Sequence, residues 1–231
     1  AGGGTGMSPW HMMNEWGVPT LYIAALTYNY VHKLASKGQY VPDIILAGGF
    51  AFEDDIFKAM ALGAPYVKAV GMARSPLCAA HVGKLIAEQI NKNAIDKTIE
   101  PYGRTMDEIF VLASRTKRLF SSNGKEVPAG ALGVYSYYQR LSQGLRQLMC
   151  GSRKFALEHL TRNDIVTLTR EAAEVTGIRY IMEADSEEAE QILAGKEKAK
   201  AKAVVKSMPK QKPKPKVTPK PKAKPKGKAK K

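Results

Sequence analysis

Two apolar runs that stop at glycine interrupt an otherwise mixed pattern of hydrophobic and polar positions: Asp43-Ile44-Ile45-Leu46-Ala47-Gly48-Gly49-Phe50 and Tyr66-Val67-Lys68-Ala69-Val70-Gly71-Met72-Ala73-Arg74. Both are short and carry Ile or Val at their centres, the composition of a buried strand. Residues 53–62 place Ile56, Met60 and Leu62 on one broad face, open with Glu53, Asp54 and Asp55, and stop before Gly63. Acids complement the positive end of a helix, and glycine tolerates the backbone that ends one, so this stretch predicts a helix. Strand, helix and strand within about thirty residues predict one right-handed βαβ unit.

The flanking segments extend the pattern. Upstream, Ser8-Pro9 suits an N-cap and first helical position, so 9–16 predicts a short helix stopped by Gly17. Residues 20–37 place Leu21, Ala24, Ala25, Tyr28, Val31, His32 and Ala35 on one face, with Gly38 beyond the end. Downstream, 75–93 predicts a helix with Leu77, Val82, Leu85, Ile86 and Ile90 toward the sheet. Thr105 caps a predicted helix through Phe120, with Asp107 and Glu108 first and Arg115, Lys117 and Arg118 last. Helices are also predicted over 135–149, 162–176 and 186–193, with Gly177 ending the second and a short strand over 178–182. Tyr135, Tyr137 and Tyr138 are assigned to a packing layer of that helical region.

The charge is very unevenly distributed. The 231 residues carry +15, and 16 of the 36 basic side chains lie in 196–231 with one acid, Glu197. That segment alone accounts for +15, leaving 20 basic and 20 acidic side chains in the first 195 residues. The alternating Lys, Pro and Ala of this tail cannot bury enough apolar surface to offset ordering, so it is expected to be disordered with polyproline-like stretches. It lacks aromatic residues for base stacking, and weak, salt-sensitive contact with RNA, DNA or an anionic surface is the function open to it. The expected division is 1–95 as an α/β part, 96–185 as a helical extension, and 186–231 as a short helix and tail. Cys78 and Cys150 are far apart, and His11, His32, His81 and His159 are scattered, so no metal or disulfide framework is predicted. Without an apolar run of eighteen residues or a leader-like opening, the expected location is cytoplasmic.

An apolar strand ending in glycine exposes backbone N–H groups, and two such ends side by side form a phosphate cradle. In a parallel (β/α)8 barrel this site follows strands seven and eight. An ordinary doubly wound sheet, its glycines serving as tight turns, fits the same pattern. The opening Gly3-Gly4-Thr5-Gly6-Met7-Ser8-Pro9 adds glycines running into a capped helix, which is again an anion-accepting arrangement.

That opening string, together with Ala47-Gly48-Gly49-Phe50, Ala61-Leu62-Gly63-Ala64 and Val70-Gly71-Met72-Ala73-Arg74, resembles the FMN-binding domain of glutamate synthases. The likeness is greatest to short archaeal and bacterial relatives. Residues 138–149 and 168–178 resemble their C-terminal regions, so that the resemblance covers about 1–185. It implies the C-terminal part of a (β/α)8 TIM barrel, followed by the helical extension and disordered basic tail. It also implies FMN as cofactor, with reduced flavin passing hydride to the imine formed from 2-oxoglutarate and ammonia. Gly48 and Gly49 would then offer N–H groups to the FMN phosphate. Gly71, Met72, Ala73 and Arg74 would close the other side, and Gly3, Gly4, Thr5 and Gly6 would line the flavin.

The family reading assigns no catalytic residue. No nicotinamide-binding glycine turn and no N-terminal cysteine nucleophile are present, so a NAD(P)H-dependent reductase and a glutaminase are the implied partners, with free or glutamine-derived ammonia as amino donor. The single Cys78 after the last strand cannot hold the iron–sulfur cluster of the larger enzymes. Two strands of eight imply a fragment, or a polypeptide completed by a partner. Two other functions fit the residues: a phosphate-binding barrel enzyme of another reaction class, and a non-enzymatic binding protein using its basic tail. If the last of these holds, filter binding is expected to show nucleic-acid retention by the full chain that disappears when 196–231 is removed and falls steeply between about 50 and 200 mM salt.

Overall fold

The computed structural model describes residues 17–111, 113–120 and 127–194, together with Pro9, His11 and Glu15. The predicted helix over 9–16 and the basic tail lie largely or wholly outside them. The chain divides into two compact units, 1–185 and 186–231.

The first unit opens with α1 (Thr20–Ser36), closed by Gly38 at φ +66°. It continues with β1 (Ile44–Ala47), α2 (Glu53–Leu62), β2 (Val67–Gly71) and α3 (Arg74–Asn91). β1 and β2 pair in parallel, with Ile45 opposite Ala69, Leu46 opposite Val70 and Ala47 opposite Gly71. The predicted βαβ unit is therefore present. A register irregularity after Ile44 leaves Lys68 as an extra, exposed residue of β2. Among the described residues the sheet holds only these two strands.

One sheet face is packed and the other is open. Leu46 and Val67 join Ala24 of α1 and Phe57, Met60 and Leu62 of α2 in the main core, with Ile178 and Leu160 arriving from the far end of the unit. On the opposite face Ile45 is 66% exposed, and Ala47 and Ala69 are exposed as well. Parallel sheets are normally covered on both faces.

Beyond α3 the observed helices differ from the predicted ones for identifiable reasons. The helix expected over 105–120 is two, α4 (Met106–Ile109) and α5 (Ala113–Phe120). Thr105 caps the first as expected, accepting the Glu108 N–H. Phe110 then turns extended and buries itself, 6% exposed, against Ile86, Ala113 and Leu132. Burying that ring outweighs continuing the helix.

The helix α6 (Ala129–Gly151) begins six residues before the predicted start. Its first turns are small residues that carry no apolar periodicity, yet they allow a close approach to α3. A Cβ at Gly133 would lie 2.3 Å from the Ala79 carbonyl oxygen of α3, and one at Gly83 would lie 2.8 Å from that of Ala129.

The helix expected over 162–176 is reduced to a 3₁₀ turn at Arg162–Asp164 and α7 (Arg170–Thr176). Asp164 accepts the Thr161 N–H at 2.7 Å, Thr169 caps α7, and Gly177 ends it at φ +66°. Between the two, Thr167 bridges in parallel to Tyr180, which is all that forms of the strand expected over 178–182. The second unit contains α8 (Ser186–Leu193), with Glu187 and Glu188 in its first turn.

Arg162 ties the first unit together. Its Nη1 donates to the Leu62 carbonyl at the end of α2, its Nη2 donates to the Thr176 carbonyl, and its guanidinium lies 3.8 Å above the Tyr28 ring of α1. Lysine keeps the charge but loses the fork and the stacking plane. Arg162→Lys is expected to lower the unfolding free energy by about 2 kcal/mol, read as a lower urea midpoint at unchanged slope.

Candidate functional site

The opposition of Ala47 and Gly71 sets the ends of the two strands side by side. Each end runs through a short turn into a helix. After β1 come Gly48 and Gly49, at φ +132° and +80°, a backbone region that disfavours any residue with a Cβ. After β2, Met72 and Ala73 lead directly to Arg74, the first residue of α3.

Side chains from three helices fix the first turn. Thr20 Oγ1 of α1 donates to the Gly48 carbonyl at 2.7 Å, Ser75 Oγ of α3 to the Phe50 carbonyl at 3.0 Å, and Tyr137 OH of α6 to the Ala51 carbonyl at 2.5 Å. Burial pushes the Tyr137 hydroxyl above the usual tyrosine range, which keeps its proton in place for that bond. The Ala51 and Phe52 N–H groups both donate to Asp55 Oδ2, each at 3.0 Å. The polar groups of 50–52 are thereby largely consumed internally.

The groups left over sit at the strand ends. Among the described residues, the N–H groups of Gly49, Met72 and Ala73 meet no acceptor, that of Gly48 lies in the last rung of the ladder opposite Gly71, and the exposed Arg74 guanidinium has no carboxylate partner. Two adjacent turns with unsatisfied donors, a neighbouring cation and two glycines form a surface suited to an oxyanion. Space at these glycines is short: a Cβ at Gly48 would meet Thr20 Oγ1 at 2.8 Å, and one at Gly71 would come within 3.1 Å of Ala47 Cβ.

The structure thus brings together Gly48, Gly49, Gly71, Met72, Ala73 and Arg74 of the expected site. Gly3, Gly4, Thr5 and Gly6 lie outside the described residues. Sequence reasoning passed over Thr20, Asp55, Ser75 and Tyr137. Tyr137 lies 86 residues from the carbonyl it binds, and no periodicity could have connected them.

Behind β1, on its packed side, a mostly apolar cavity of about 530 Å³ is bounded by Leu46, Phe50, Leu62, Ile165 and Ile178. It borders the turn through Thr20 and Asp55. No cluster of metal-ligating side chains occurs among the described residues, and no helix of theirs is long and apolar enough to cross a membrane.

The fold and the turns define a parallel βαβ unit whose two strand ends emerge side by side. Residues 1–85 match the family model described as a conserved region in glutamate synthase, a stretch that contains α1, both strands, α2 and the first half of α3. The likeness to glutamate synthase is confined to that region. No curated protein and no solved structure matches the chain.

Asp55→Ala removes the acceptor of two backbone N–H groups and is expected to lower stability by about 1 to 2 kcal/mol. Faster hydrogen exchange of the Ala51 and Phe52 amides than of the β1 amides is the measurement that checks it.

Proposed function

We propose that the chain supplies the phosphate-binding end of an FMN site in a glutamate synthase-type oxidoreductase. The observation that carries this reading is the pair of adjacent strand ends with N–H groups that meet no acceptor among the described residues, within the region matched to glutamate synthase. The residues fit the group. Gly48 and Gly49 hold backbone that other residues disfavour, and a Cβ at Gly48 would crowd the turn.

In this reading Gly48 shapes the turn, the N–H groups of Gly49, Met72 and Ala73 hold the FMN phosphate, and Arg74 supplies positive charge beside it. Gly71 keeps the second strand end thin enough for close approach, and Gly3, Gly4, Thr5 and Gly6 line the flavin side. FMN, when bound, supplies hydride transfer for the reductive amination of 2-oxoglutarate to glutamate. The chain's own contribution is to bind and orient. Ammonia arrives free or from a glutaminase, and electrons come from a NAD(P)H-dependent reductase.

The βαβ unit is read as belonging to the C-terminal part of a (β/α)8 barrel. Each strand has one edge without a partner among the described residues, and the face carrying Ile45, Ala47 and Ala69 is open. Further βα units would pair those edges and cover that face.

The full chain titrated into FMN is expected to quench flavin fluorescence saturably, and Gly48→Ala is expected to weaken binding about tenfold or more through backbone strain and crowding. Flavin fluorescence unchanged at every protein concentration sinks the reading.

A further inference from the structure

A trans peptide carries its C=O and the following N–H on opposite sides, so a side chain that captures the oxygen also aims the hydrogen. The turn after β1 follows this rule twice. Ser75 holds the Phe50 oxygen and Tyr137 holds that of Ala51, and the N–H groups opposite, those of Ala51 and Phe52, run to Asp55. The peptide between Gly48 and Gly49 ends differently. Thr20 Oγ1 takes the Gly48 oxygen at 2.7 Å, which turns the Gly49 N–H away from α1, where no acceptor meets it among the described residues. The contact is close enough that any Cβ at Gly48 would collide with the Thr20 hydroxyl.

We propose that Thr20 is a positioning residue of the anion site: its hydroxyl sets the Gly48–Gly49 peptide so that the Gly49 N–H faces the phosphate of a flavin mononucleotide. The inference rests on the flavin reading above and adds to it a residue 28 positions before Gly48, on the preceding helix, that touches no ligand itself. A hydrogen bond to a charged acceptor is worth more than a neutral one, so losing the aim of one N–H is expected to cost about tenfold in affinity for a phosphate-bearing flavin. A flavin without phosphate loses nothing by it.

The test uses the full chain, Thr20→Val, which keeps the shape and removes the hydroxyl, and Thr20→Ser, which restores it. Each is titrated with FMN and with riboflavin by fluorescence quenching. The wild type is expected to prefer FMN. Thr20→Val is expected to lose about tenfold for FMN and keep its riboflavin affinity, and Thr20→Ser to recover the preference. If Thr20→Val does not fold, Thr20→Ala against Thr20→Ser carries the same contrast.

A hydroxyl-free variant with its FMN preference intact overturns the inference and leaves the flavin reading standing. Equal loss for both flavins also overturns it, because Thr20 then only supports the fold. A wild type that binds neither flavin, or both alike, removes the phosphate contact itself and takes the inference with it.

Discussion

The parallel register that sets Ala47 beside Gly71 is the constraint on which the rest depends. Parallel strands run the same way, so their C-terminal ends emerge together and the two turns begin as neighbours. An antiparallel pair would have put Gly48 and Met72 at opposite ends of the sheet. Only a crossover connection can give the parallel arrangement, and α2 supplies it, with three acids at its start and Gly63 at its close.

The helical region beyond residue 85 takes part in this arrangement. Small residues bring α6 against α3, and Gly144 brings the same helix against Glu53 at the start of α2, where a Cβ would lie 2.6 Å from the Glu53 side chain. Held at both contacts, α6 places the Tyr137 hydroxyl on the Ala51 carbonyl. A residue type that reads as packing, in a segment beyond the family match, thus helps fix the turn that follows β1.

Legibility followed the range of the interaction. The βαβ unit could be read residue by residue, because strand composition, first-turn acids and terminal glycines all act within a few positions, and Glu53–Leu62 is the helix that was expected. The same local signals located α1, α3 and the glycine turns. Reading failed where a distant partner decided. Phe110 leaves its helix for a core built by Ile86 and Leu132, and Thr167 leaves another to pair with Tyr180. The start of α6 was hidden for a different reason: alanine and glycine pack closely without marking an apolar stripe. The supporting hydroxyls of Thr20, Ser75 and Tyr137 were equally silent, since each bonds to a backbone oxygen that has no signature in sequence.

The extra residue in β2 has a consequence for how the uncovered sheet behaves in a crowded solution. Lys68 stands exposed at the register irregularity between β1 and β2 and donates through Nζ to the Pro65 carbonyl, so a cation sits within the strand itself. Fibril growth needs flat, uncharged strands that stack on copies of themselves. An exposed lysine within the strand works against that kind of stacking.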